Sequence, residues 1–385
     1  MPKKKILVLY EYFYPGFKAG GPIQSLVNLL LAMQHQYEFY VATTAYDMQT
    51  ATPYPNVVCN KWVNTQLTPN ALPVKVWYSS NIKPGYKELL QTILTSGCTT
   101  IYINGFYTNY FLFPLLYLKL GKLKNMDCIV APRGMLTKGA LSVKPFRKKI
   151  YFTVIKCFGL LKTVRYHATN TEEVQEIQSM FGRSSSITLA SNVSKPPFEK
   201  FRQSTKNNDE LRLVFLALIS PMKNLLLLLQ YLQSCSNTIV LDIYGPVKDK
   251  AYWQQCLQAI QALPKNIKVH YKGDAEPHTV QNIFTGYDAM ILITKGENFG
   301  HAIYESLSVG TPVIISHFTP WNNLQEKKAG WNIDINNKEE LLTTLHQLSK
   351  MTLQDHNDYS NNAWQVAKNY YEQSNYTKNY NNLFS

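Results

Sequence analysis

The feature that most constrains this chain is a rhythm. Short apolar, β-branched runs recur along it, each separated from the next by a longer amphipathic stretch. Apolar runs of that length, buried on both faces, form the strands of a parallel sheet, and the stretches between them supply the crossover helices that such a sheet requires. In the first half the rhythm predicts strands at Lys5–Tyr10, Glu38–Thr43, Val74–Trp77, Thr100–Ile103, Asp127–Ala131 and Arg165–Ala168. It breaks at Ser191-Asn192-Val193-Ser194-Lys195-Pro196-Pro197 and the polar run from Ser204 to Glu210, a linker by composition. It then restarts, with strands at Leu211–Ala217, Ile239–Tyr244, Ile267–Tyr271, Ala289–Ile293 and Pro312–Ser316 and helices near Leu225–Gln233, Ala251–Ala262 and His301–Val309. Two doubly wound α/β halves are the economical architecture, with a ligand cleft between them where the C-terminal strand ends face.

Charge separates the two halves. Residues 1–200 hold 23 Lys and Arg against 9 Asp and Glu, whereas residues 201–385 hold 16 against 16. The excess peaks from Cys128 to Thr171, which contains Arg133, Lys138, Lys144, Arg147, Lys148, Lys149, Lys156, Lys162 and Arg165 and no acidic residue. Such a surface attracts phosphates, anionic lipid headgroups or nucleic acid. Large apolar residues are interleaved with these cations, which favours a lipid surface over a merely solvated face. A recognisable nucleic-acid-binding motif is lacking, so nucleic acid is not the expected partner.

Membrane contact is expected to be peripheral. The opening Ile6–Tyr10 run is too short for a signal-peptide core, and Tyr110–Leu120, interrupted by Pro114 and Lys119, falls well short of the ~20 residues of a spanning helix. Six widely spaced cysteines without a Cys-x-x-Cys pair read as reduced, structural thiols of a cytoplasmic protein.

The strongest chemical signal is the stretch from Lys295 to Ile315. A buried strand ends at Ile293, a glycine-containing loop exposes Glu297, a short helix carries Glu305, Gly310 stops that helix and a β-branched strand follows. Two carboxylates thus flank one helix N-terminus. The helix end offers N–H groups to a phosphate, and the carboxylates accept from vicinal hydroxyls. Together they suit a ligand that is part polyol and part phosphate, a nucleotide sugar. Gly20-Gly21-Pro22, after the first strand, lets backbone approach a ligand at the start of the following helix. No Gly-x-Gly-x-x-Gly follows that strand, which argues against a nicotinamide dehydrogenase.

The Glu297–Glu305 stretch resembles the E-x7-E segment of retaining glycosyltransferases of family 4, and the likeness extends to Thr319-Pro320-Trp321 and Ala329-Gly330-Trp331. Further matching segments are Gly20-Gly21-Pro22, Ala131–Leu136, His167–Asn170, Ser191-Asn192-Val193, Ser220–Asn224, Tyr244-Gly245-Pro246 and Tyr271-Lys272-Gly273. The branch it resembles is found in bacterial capsule and lipopolysaccharide clusters. The resemblance implies the GT-B fold, two Rossmann-like domains facing across a cleft: an acceptor domain over 1–193 joined by a C-terminal helix at about 364–385, and a donor domain over 194–363.

It also implies roles. Glu297 would hold the donor sugar's hydroxyls with the backbone of Asn298, Phe299 and Gly300, Glu305 would bind the ribose, and Lys223 would neutralise the leaving diphosphate. Gly20, Gly21, Tyr244, Gly245, Lys272 and Gly273 would line the donor. The substrate would be a UDP- or GDP-linked sugar with no further cofactor, the acceptor a glycan or lipid-diphosphate-linked glycan, and the setting the inner face of the plasma membrane.

Two departures stand out. Leu218 occupies the position where relatives carry an Arg of the diphosphate clamp, so either Arg133 or another basic residue of the first half substitutes for it, or donor binding is weak. Asn104 stands where many relatives place a His, and Asn cannot take up a proton, so His167 and His301 are the alternative bases. No Asp-x-Asp triplet occurs, so no metal is expected. The competing readings are a non-catalytic sugar-nucleotide-binding protein and, more remotely, a nucleic-acid-binding one.

Overall fold

The computed structural model describes residues 2–142, 144–203, 206 and 210–385; Ser204, Thr205 and Asn207 to Asp209 of the expected linker lie outside them. The chain forms two units, Met1–Val193 with Asn375–Ser385, and Ser194–Ser374.

The first unit is built on one eight-stranded sheet. Its strands are β1 (Lys4–Leu9), β2 (Tyr37–Thr44), β3 (Trp62–Thr65), β4 (Val74–Ser79), β5 (Thr100–Asn104), β6 (Asp127–Ala131), β7 (Val164–Ala168) and β8 (Ile187–Leu189). Their order is β3-β4-β2-β1-β5-β6-β7-β8, parallel throughout except where β3 meets β4. β1 shows why the apolar runs are unbroken: Ile6 and Val8 enter one core, and Leu7 and Leu9 enter another. The expected strands are all present. The two unexpected ones are the sheet's edges, where β3 is at most half-buried and β8 has three residues and no buried side chain. The Tyr110–Leu120 stretch is a helix, Asn109–Lys119, buried at Tyr110, Phe111, Leu115 and Tyr117. No helix among the described residues is long and apolar enough to cross a membrane.

The second unit carries six parallel strands: β9 (Leu211–Leu216), β10 (Ile239–Tyr244), β11 (Ile267–Gly273), β12 (Ala289–Leu292), β13 (Val313–Ser316) and β14 (Gly330–Ile333). Their order is β11-β10-β9-β12-β13-β14. β14, unexpected from sequence, opens on Gly330, where a Cβ would fall 2.3 Å from the Val313 carbonyl oxygen. That close approach explains a glycine at a strand start.

Chain order therefore reverses between β9 and β12 in this unit and between β1 and β5 in the other. In doubly wound sheets ligands bind outside the carboxyl ends of the strands at such a reversal.

The C-terminal segment divides later than expected. Helix Leu353–Gln373 stays in the second unit, burying Ala363 and Ala367, and the Trp364 indole donates to the Phe198 carbonyl at 2.8 Å. The return to the first unit thus begins at Asn375 rather than near 364. Helix Tyr376–Phe384 then buries Tyr380, Leu383 and Phe384 in the core that holds Ile6, Val8 and Tyr102. Each such side chain contributes roughly 1.5–3 kcal/mol.

Candidate active site

Two segments meet at the β9/β12 reversal. After β9 the chain makes a 3-10 turn, Pro221–Lys223, which Asn224 ends with a left-handed φ of 61°. After β12 comes the loop of residues 293–300. The Asn224 side-chain amide donates to the Ile293 carbonyl at 3.1 Å, and the Met222 carbonyl accepts from the Lys295 amide at 2.9 Å and the Thr294 hydroxyl at 3.0 Å. These bonds hold the turn against the loop. Lys223 and Glu297, 74 residues apart in sequence, consequently form an ion pair, with side chains only 18% and 14% exposed.

The helix that follows, His301–Ser308, starts at Gly300, whose φ is 78°. A Cβ there would lie 2.9 Å from the Ile303 side chain, so the loop needs glycine at this point. Phe299 packs against Tyr304, Trp321 and Tyr370, and the Trp321 indole donates to the Phe299 carbonyl at 2.6 Å. This packing sets the positive end of the helix beside Glu297. Glu305, in the second turn, is buried and pairs with Lys195 at 2.7 Å. Burial pushes its carboxyl above the ordinary range, against the pull of the Lys195 charge.

Three strand ends converge nearby in the fold of the same sheet. A Cβ on Gly245, at φ 130°, would fall 2.0 Å from the Ala217 carbonyl oxygen, and the Gly245 amide donates to the Gly273 carbonyl at 2.8 Å. Tyr244 and Lys272 are drawn toward Asp242. The Tyr287 hydroxyl donates to Asp242 at 2.7 Å and lies 3.4 Å from the Tyr244 hydroxyl, while Lys272 stands 3.5 Å and His270 2.9 Å from the carboxylate. Burial raises the Asp242 carboxyl, but the bonds from Tyr287 and His270 and the Lys272 charge outweigh it and hold it below the usual range.

In the first unit Gly20, with φ 73°, precedes helix Gly21–Met33, and Pro22 sits in its first turn. Asn104 ends β5 across the reversal. Arg133 lies after β6, but its guanidinium is already engaged: it donates to Asn104 at 2.9 Å, to the Tyr102 hydroxyl at 2.7 Å and to the Asn192 side chain. It braces strand ends instead of standing free as a substitute clamp.

His167 is likewise structural. It is fully buried, its Nε2 donates to the Ala190 carbonyl at 2.7 Å and its Nδ1 accepts from the Tyr102 hydroxyl at 2.7 Å. Burial, with the Arg133 charge added, depresses its pKa to about 3. Both nitrogens are taken, so the expected base role does not fit. The Asn104 amide nitrogen, by contrast, is buried without a hydrogen-bond partner.

The arrangement in the second unit is a cation, two carboxylates and a helix N-terminus at the carboxyl edge of a parallel sheet. It can hold phosphate and hydroxyl groups together. Residues 197–366 match the family model described as glycosyl transferases group 1.

The fold agrees along the whole chain, which is GT-B. It is similar to sucrose-phosphate synthase from Thermosynechococcus elongatus, at 13% identity with a TM-score of 0.76 and 99% of each chain covered. It is also similar to Anabaena HepE, solved with UDP and glucose, at 14% identity, a TM-score of 0.73 and 99% coverage of each. A third similar structure is WaaG, a glycosyltransferase involved in lipopolysaccharide biosynthesis, at 10% identity, a TM-score of 0.64 and 96% coverage of each. No curated protein matches the sequence significantly.

Two residues of the second unit were not legible as site residues. Lys195 pairs with Glu305 and also donates to the Pro277 carbonyl at 2.6 Å. Thr294 bonds both the Met222 and Gly296 carbonyls at 3.0 Å. The only available signals were the Lys before Pro196-Pro197 and a Thr at a strand end, neither of which points to a partner.

Proposed function

We propose that the protein transfers a sugar from a nucleoside-diphosphate donor, UDP- or GDP-linked, to a glycan or lipid-diphosphate-linked acceptor, with retention of configuration and without a metal ion. The observation that carries this reading is the Lys223–Glu297 pair at the β9/β12 reversal. A bound diphosphate takes over the Lys223 charge that Glu297 now neutralises, and the released carboxylate then accepts from the sugar hydroxyls. Lys223 stabilises the charge that grows on the leaving phosphate oxygen. Glu305 receives the ribose hydroxyls, and the backbone of Asn298, Phe299 and Gly300 lies along the sugar.

The sequence motif places no nucleophile beside Glu297, so the reading is a same-face displacement. The glycosidic bond to phosphate breaks, the acceptor oxygen bonds to the anomeric carbon on that same face, and the leaving phosphate oxygen takes the acceptor's proton. The likeness to WaaG supports a place in bacterial surface polysaccharide synthesis. The basic first half supports a cytoplasmic protein attached peripherally to the inner face of the plasma membrane.

Binding to the folded state raises the melting temperature, so a panel of UDP, GDP, ADP, CMP and their sugar conjugates, with and without EDTA, tests the reading. The expected result is a selective shift that EDTA leaves intact and Lys223→Ala removes. No shift with any of them overturns it.

A further inference from the structure

Helix Pro145–Cys157 has two apolar stripes. Phe152 and Ile155 face inward and are buried in the first unit's core. Phe146, Ile150 and Val154, with Phe158 just beyond the helix, recur every four residues and are 74%, 48%, 46% and 59% exposed. Residues at that spacing share one side of a helix. Leu120, 61% exposed, extends the patch: its neighbour Lys119 bonds the Phe158 carbonyl and lies 5.5 Å from the Phe158 ring centroid.

The rim of this stripe is cationic. Lys144, Arg147, Lys149, Lys156 and Lys162 are exposed around it, and no Asp or Glu occurs between Cys128 and Thr171. At the helix's C-terminal end a cavity of about 590 Å³ is lined by Lys156, Lys162, Phe181 and Ser184–Ser186, surroundings suited to a phosphate. Four large apolar side chains exposed along one row of a helix, rimmed by polar groups, are the kind of feature that marks an interaction surface. An apolar row flanked on its own helix by lysines is the complement of an anionic bilayer, whose acyl boundary takes the row and whose phosphates take the cations.

We infer that this helix docks the protein on anionic membranes by inserting Phe146, Ile150, Val154 and Phe158 into the headgroup boundary. The inference rests on the peripheral attachment proposed above and is independent of the donor chemistry. It is tested by co-sedimentation of the full chain with phosphatidylcholine vesicles that contain or lack phosphatidylglycerol. Two variants are compared with the parent: Phe146→Ser/Ile150→Ser/Phe158→Ser, and Arg147→Glu/Lys149→Glu. A cooperative melting transition at the parental temperature reports that both remain folded.

The parent is expected to bind only the vesicles that contain phosphatidylglycerol, and less as salt rises. Each variant is expected to bind them about tenfold more weakly or worse. Full binding by the triple variant overturns the insertion while sparing peripheral attachment. Failure of the parent to bind the anionic vesicles overturns both. A parent that is dimeric in solution, with a monomeric triple variant, overturns the inference by assigning the stripe to a second copy.

Discussion

The two units share the order of six strands, β4-β2-β1-β5-β6-β7 in the first and β11-β10-β9-β12-β13-β14 in the second, and differ in what they place at its reversal. In the second, Lys223 and Glu297 come from opposite sides of the reversal and are held to each other, two charges that a phosphate and a hydroxyl can each replace. In the first, Arg133 is bonded to Tyr102, Asn104 and Asn192, and His167 has both nitrogens occupied. The same topology offers a crevice twice. In the second unit the charged groups are paired with each other, and in the first they are saturated by the fold.

The sharpest test of this contrast sets Lys223→Ala and Glu297→Ala against His167→Gln. The first two are expected to lower turnover by about 100-fold or more while the chain stays folded, because each removes charge placed at the reacting bond. His167→Gln should leave turnover of the folded protein at parental levels. A collapse of turnover in His167→Gln, with an intact melting transition, would place catalysis in the first unit and break the comparison.

Gly245→Ala comes next in size. The added Cβ overlaps a backbone oxygen and φ is 130°, so a loss of roughly 2 kcal/mol or more is expected, read as a fall of several degrees in melting temperature.

The buried imidazole makes a smaller, pH-dependent prediction. Its pKa is about 3 in the folded protein and 6.5 in the unfolded chain, so between those values the unfolded chain binds an extra proton. Stability therefore falls on acidification through that window, by about 1.4 kcal/mol per pH unit from this group. Urea midpoints measured from pH 7 to pH 4 should fall less steeply for His167→Gln than for the parent.

The smallest effect expected is from Leu218→Arg. Restoring a second cation near the diphosphate should tighten donor binding severalfold, seen as a lower donor KM at unchanged kcat. Unchanged binding would mean that Lys223 alone suffices.

How much of this was legible depends on where the information lies. Central strands such as β1, β6 and β10 are written in contiguous apolar residues and were found within a residue at each end. Edge strands β3 and β8 bury too little to leave a pattern, and β14 opens on a glycine. Glu297 and Glu305 could be singled out because one loop and one helix carry both. The bond from Lys223 to Glu297, the pairing of Lys195 with Glu305 and the engagement of Arg133 were not legible. Each joins segments whose meeting is decided by sheet order, not by local spacing.

The returning helix Tyr376–Phe384 has a consequence for biosynthesis. The second unit is one contiguous stretch, so a ribosome delivers all of it before Asn375 emerges. The first unit, although translated earlier, lacks Tyr380, Leu383 and Phe384 until afterwards and keeps an open apolar gap beside Ile6 and Val8. At ~5–20 residues per second that gap stays unfilled for many seconds. The later-made unit thus has its whole core to hand before the earlier-made one does.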